Sequence, residues 1–171
     1  MESLQYLLNH PFVVLNNVSE VLYEQKAPAY YTRLRSRASG RHRFREDEAK
    51  QLMKIFTKFA SQITKAADKL NKISSKTDTK KEVLPMSILN IPMLNVKQVL
   101  SKVVENTPLN YFRLYDSLRN RTKLSGNELK SIIATLIEFV IDINKHLEQA
   151  KIESKSYSFV LGRGSKSHIM A

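Results

Sequence analysis

Apolar positions along this chain recur at helical spacing, and the longer runs are too regular to be anything but amphipathic helices. Leu4, Leu7 and Leu8 give a first short run that Pro11 stops. In FVVLNNVSEVLYE, Asn16 or Asn17 is expected to cap a helix whose apolar face is Val18, Val21 and Leu22. Pro28 suits the first position of the next helix, since its missing N–H has no intrahelical partner to lose. That helix is predicted to reach Arg37, and Ser39-Gly40 breaks it. From Glu46 a long helix follows, with Leu52, Phe56, Phe59, Ile63, Ala67 and Leu70 on one face and Lys50, Lys54, Lys58, Lys65 and Lys69 outside it. Ser74 to Glu82 has no apolar residue and reads as a linker.

After that linker the pattern starts again. A shift of 80 residues places Pro28 on Pro108, Tyr31 on Tyr111, Arg33 on Arg113 and Leu34 on Leu114. It also places Arg41 on Arg121, Glu48 on Glu128, Phe59 on Phe139 and Ile63 on Ile143. Upstream, Leu8-Asn-His-Pro11 matches Leu89-Asn-Ile-Pro92 one residue further on. A gapless register joining a turn proline, an arginine and the long-helix core predicts an internal duplication. In the second copy Thr107 is expected to cap the helix opened by Pro108, and Ser125-Gly-Asn-Glu128 spells a capping box. The helix it opens is apolar around much of its circumference from Leu129 to Leu147, so it is expected to be buried on more than one side.

The predicted fold is therefore all-α: two tandem helix-turn-helix-like repeats, each ending in a long amphipathic helix. The first repeat spans residues 1–75, a polar linker 76–83, the second repeat 84–153 and a basic flexible tail 154–171. Within the tail, Tyr157–Leu161 is expected to form a short extended piece.

Charge changes the picture. The net charge is +12, from 28 basic and 16 acidic residues, which favours a polyanionic partner. Lys26 to Arg45 carries six arginines and no acid, with Tyr30 and Tyr31 at its front. Cysteine is absent, which excludes disulfides and thiol chemistry, and the four histidines lack ligand spacing. Neither paired carboxylates beside a histidine nor a phosphate-cradling glycine loop occurs, so no catalysis and no cofactor are expected. The opening MESLQYLLNHP lacks a basic n-region, and no segment has the length of a membrane span. A cytoplasmic, nucleoid-associated protein is the expectation.

The segments Ala27-Pro-Ala-Tyr-Tyr-Thr-Arg-Leu34 and Thr107-Pro-Leu-Asn-Tyr-Phe-Arg-Leu114 resemble the recognition-helix stretch of lambda-repressor-like helix-turn-helix proteins. The turns, Glu24-Gln-Lys-Ala27 and Val104-Glu-Asn-Thr107, lack that family's customary glycine, and the terminal helices are longer. The resemblance implies binding of double-stranded DNA by a transcriptional regulator or a mobile-element accessory factor. Candidate contacts are Thr32, Arg33, Arg35, Ser36, Arg37, Arg41, His42, Arg43 and Arg45 in the first copy, and Arg113, Arg119, Arg121 and Lys123 in the second. Arg33 and Arg113 have a second reading, as ion pairs to Glu48 and Glu128 within each unit. Two other functions stay open: a helical assembly module, with homodimerisation through the apolar helix 129–147, and RNA binding through the arginine loop.

Overall fold

The computed structural model describes residues 1–76, 86–119 and 121–163, with side chains placed for 1–75, 88–119 and 121–156. In chain order its helices are α1 (Glu2–Asn9), α2 (Leu15–Tyr23), α3 (Pro28–Ala38), α4 (Glu46–Lys76), α5 (Met86–Leu89), α6 (Val96–Asn106), α7 (Tyr111–Leu118) and α8 (Gly126–Arg163). No strand forms among the described residues, and the protein is all-α.

The long helices α4 and α8 form the most extensive helix–helix contact among the described residues. They run antiparallel: Phe59 meets Phe139 edge to face at 6.0 Å, and Ser74 near the end of α4 donates to the Gly126 carbonyl at the start of α8 at 3.3 Å. On α4 the predicted core face is buried throughout, with Leu52, Phe56, Phe59, Ile63 and Leu70 fully enclosed. Each such side chain contributes about 1.5–3 kcal/mol on removal from water. The short first helices cross over: α1 packs on α8, and α5 packs on α4.

Residues 80 or 81 positions apart touch one another where these elements meet. Phe59 and Phe139 are one such pair. Val13 and Leu94 are another, joined as an isolated antiparallel bridge in which Val14 N donates to Met93 O at 2.9 Å and Asn95 N to Phe12 O at 2.8 Å. Asn17 Nδ2 adds a bond to the Pro92 carbonyl beside it.

Several local expectations are corrected. α2 begins at Leu15 after Val14, with no side-chain cap, because Asn17 is turned towards Pro92 instead. Thr107 does not cap α7; it ends α6, its hydroxyl donating to Val103 O at 2.6 Å. Asn110 caps α7 through Phe112 N at 2.8 Å and Arg113 N at 3.4 Å. Val21 is half-exposed rather than buried. The first residues of the expected linker, up to Lys76, continue α4, and residues 77–85 lie outside those described. α8 runs to Arg163, so Tyr157–Leu161 is helical rather than extended; residues 164–171 of the expected tail lie outside those described.

Candidate nucleic-acid interface

The candidate site is built where α3 meets the start of α4. Three things shape it: a positive-φ glycine, a buried carboxylate, and arginines divided between that carboxylate and solvent. Gly40, at φ +77°, ends α3 in a conformation that side chains disfavour and turns the chain so that Arg41 N reaches Ser36 O at 3.0 Å. After this turn Arg41, His42, Arg43 and Arg45 are exposed, while Phe44 packs against the core. Glu48 then sits at the third position of α4, 4 % exposed, and accepts from Arg45 N at 3.2 Å, as the acid of a capping box does.

Two of the candidate arginines are drawn onto that carboxylate. Arg33 Nη2 lies 3.0 Å from Glu48 Oε1, and Arg37 Nη1 lies 2.7 Å from Oε2. Arg37 is buried and also bonds the Arg43 carbonyl, holding the loop down. A DNA contact at Arg37 requires it to face outward; the α3 periodicity instead sets it beside Leu34 and Ala38 in the core, with Glu48 compensating its charge. Tyr23 completes the cluster, its hydroxyl donating to Glu48 Oε1 at 3.2 Å and its ring stacked on Tyr30 at 4.9 Å. Burial, followed by the Glu48 charge, raises the Tyr23 pKa.

The remaining cations point outward. Arg35, Arg41, Arg43 and Arg45 are exposed, and none of their guanidinium groups has an ion-pair partner among the described residues. His42 is exposed and shares a 2.6 Å hydrogen bond with Ser36 Oγ. Thr32 is exposed, its hydroxyl bonded to the Pro28 carbonyl at 3.0 Å. The outer face of α3 is therefore Ala29, Thr32 and Arg35, three residues apart, continuing into the loop.

The second half repeats the carboxylate arrangement. Arg113 grips Glu128 with two bonds, Nε to Oε1 at 2.7 Å and Nη2 to Oε2 at 3.3 Å, and reaches the Lys123 carbonyl at 3.2 Å. Ser125 and Glu128 form the predicted capping box, with bonds of 2.6 and 3.3 Å. Burial pushes the Glu128 carboxyl up, but the bonds from Arg113 and Ser125 outweigh it and hold it below the ordinary value. Arg119 bonds the Tyr115 hydroxyl at 3.1 Å and lies over its ring, while Arg121 and Lys123 are exposed. Phe112, at the position matching Thr32, is 74 % exposed.

One cluster escaped the sequence reading, because the fold rather than spacing assembles it. Between α1, α6 and α8 a cavity of about 400 Å³ is lined by Tyr6, His10, Phe12, Phe139 and Asp142 among others. His10 stacks on Phe139 at 4.4 Å and His146 on Tyr6 at 3.9 Å, with Asp142 3.5 Å from His146. His10 Nδ1 accepts from Phe12 N at 3.1 Å, and burial lowers its pKa. Among the described residues no group of three or more metal-ligating side chains occurs and no helix is long and apolar enough to cross a membrane.

Comparison with known proteins returns nothing: no family model, no curated protein and no solved structure matches this chain.

Proposed function

We propose that this protein binds double-stranded DNA without catalysing a reaction, as a transcriptional regulator or a mobile-element accessory factor. The observation that carries this reading is the set Arg35, Arg41, Arg43 and Arg45. These are four solvent-facing guanidinium groups with no ion-pair partner among the described residues, within eleven residues, beside two further arginines that share the single Glu48 carboxylate. Unpaired positive groups so close together repel one another, and phosphates relieve that repulsion while releasing condensed counterions.

In this reading α2, the turn and α3 form one helix-turn-helix unit, and α6 and α7 the other. α3 enters the major groove, presenting Ala29, Thr32 and Arg35 to base edges, with Ser36 and His42 beside them. Arg41, Arg43 and Arg45 hold phosphate, joined more weakly by Arg119, Arg121 and Lys123. Arg33, Arg37 and Arg113 tie the reading helices to the long helices and are not contacts. The meetings of Phe59 with Phe139 and of Val13 with Leu94 support a duplicated unit folded about an approximate two-fold axis, since equivalent residues touch only near such an axis. Two heads arranged this way match the two half-sites that simpler proteins reach by dimerising.

The test is a titration of a labelled duplex over a range of salt. About seven phosphate contacts imply a loss of roughly 10³-fold in affinity between 50 and 200 mM salt. Replacing Arg35, Arg41, Arg43 and Arg45 by Gln should make the log–log salt slope shallower by about 3 to 4. Binding that is absent, or that the replacement leaves unchanged, overturns the proposal; preference for an RNA competitor redirects it to RNA.

A second reading, assembly through α8, has its own observation. Ile137 and Ile141 stand one turn apart and are 46 % and 63 % exposed. A mass increase with concentration in light scattering, abolished by Ile137→Asp, would favour it.

A further inference from the structure

The outer face of α4 carries a second, separate set of unpaired cations. Lys54, Lys58, Lys65, Lys69 and Lys72 are all exposed, and none forms an ion pair among the described residues. At 3.6 residues per turn they fall within about 60° of the helix circumference and extend over roughly 27 Å of its length. The buried face, Leu52, Phe56, Phe59, Ile63 and Leu70, lies about 140° away around the helix. Beyond its first turn α4 has one acid, Asp68, at the border of the lysine stripe.

An ordinary solvated helix face mixes signs, and α8 provides the comparison within the same molecule. There Lys151 pairs with Glu148 at 2.6 Å, Glu138 and Asp142 interrupt the lysines, and Ile137 and Ile141 stand between them. On α4 the like-charged neighbours Lys54/Lys58 and Lys65/Lys69 are four residues apart, a spacing at which they oppose helix formation. The five cations stand roughly 4.5 to 10.5 Å apart along the helix, and a duplex strand, with one phosphate per ~3.4 Å of axis, offers each of them a phosphate within the reach of a lysine side chain.

We infer that the lysine face of α4 is a phosphate track, laid along the backbone of a DNA duplex beyond the groove occupied by α3. The inference rests on the duplex-binding reading but uses different residues, so the two can fail separately. The track extends the footprint and adds sequence-independent affinity, while the loop and α3 position the protein.

The experiment measures salt dependence on a 30-base-pair duplex for four full-length proteins: wild type, Lys54/Lys58/Lys65/Lys69/Lys72→Gln, the same five positions →Arg, and Arg35/Arg41/Arg43/Arg45→Gln. Circular dichroism verifies helix content, and Lys65/Lys69→Gln is the milder substitute if the fivefold variant misfolds. The glutamine variant should show a log–log salt slope shallower by about 4, the milder one by about 2, and the arginine variant a slope like wild type. A glutamine variant with the wild-type slope, beside a loop variant that has lost binding, overturns the track and leaves the loop reading standing. The reverse pattern keeps the track and removes the loop. No duplex binding by wild type overturns both. Capture of phosphatidylserine vesicles that depends on these lysines, with an unchanged duplex slope, overturns the track in favour of a membrane surface.

Discussion

The junction of α3 with α4 and that of α7 with α8 hold the same latch and present different surfaces. In each, a glutamate at the third position of the long helix accepts from the backbone N–H three residues earlier and binds an arginine of the short helix. In each, an arginine of the short helix also reaches a loop carbonyl, that of Arg43 or Lys123. Outside the latch the halves part. The first exposes Ala29, Thr32, Arg35 and an arginine loop; the second exposes Phe112, places Tyr115 where Arg35 would be, and folds Arg119 onto that tyrosine. What the two junctions share is their scaffold, and in the duplex-binding reading proposed above the ligand-facing chemistry lies where they differ. By that criterion Arg33 and Arg113, the most obvious shared arginines, are scaffold.

The comparison breaks most sharply at the glutamates. Glu48→Ala leaves Arg37 buried and unpaired and should cost about 3 kcal/mol, lowering the melting temperature by roughly 6–12 °C. Glu128→Ala removes a cap and one partly exposed ion pair and should cost less, about 1–2 kcal/mol. Equal losses in chemical denaturation would mean that Arg37 adds nothing to the first latch. Because the Glu128 pKa is lowered, its contribution is complete above about pH 4.3 and is lost as acid titrates the folded carboxylate. Glu128→Gln should therefore flatten that part of the acid limb.

The turns differ as well. Glu24 ends α2 at φ 53°, a left-handed conformation that glycine normally supplies, whereas Thr107 ends α6 extended at φ −142°. Glu24→Gly should stabilise the protein by about 0.5–1 kcal/mol, and Thr107→Gly should destabilise it by losing its bond to Val103. A loss of stability in Glu24→Gly would show that its side chain contributes more than its backbone strain costs.

The smallest effect concerns His10, whose counterpart in the second half is the buried Ile91. Burial lowers the His10 pKa, so the unfolded chain binds more protons below about pH 6.5; its stabilising share is complete above that pH and declines as pH falls through the folded value. Protonation also ends its acceptance of the Phe12 N–H. His10→Ile should reduce the stability difference between pH 7.5 and 5; an unchanged difference would show that His10 does not carry that dependence.

Much of this molecule was legible from the chain. The apolar rhythm from Leu52 to Leu70 located α4 and its buried face, and Ser125-Gly-Asn-Glu128 marked the start of α8. Such signals are local: periodicity and capping depend on residues within a turn or two of each other. What failed was whatever a distant partner decides. Asn17 left its cap for the Pro92 carbonyl, 75 residues away. Ser74, read as linker, is buried against Gly126. Arg37 and Arg35 are the same residue type two positions apart; the periodicity of α3 turns Arg37 inward, where Glu48 compensates its charge, and leaves Arg35 exposed.

The sequence by itself therefore determined the helices, the location of the positive charge and the correspondence between residues 80 apart, because each is written in spacing and composition. The tertiary structure decided which cations are spent and which remain available. A charge is neutralised by proximity, and proximity between α3 and α4, or between α1 and α8, is set by how the helices pack.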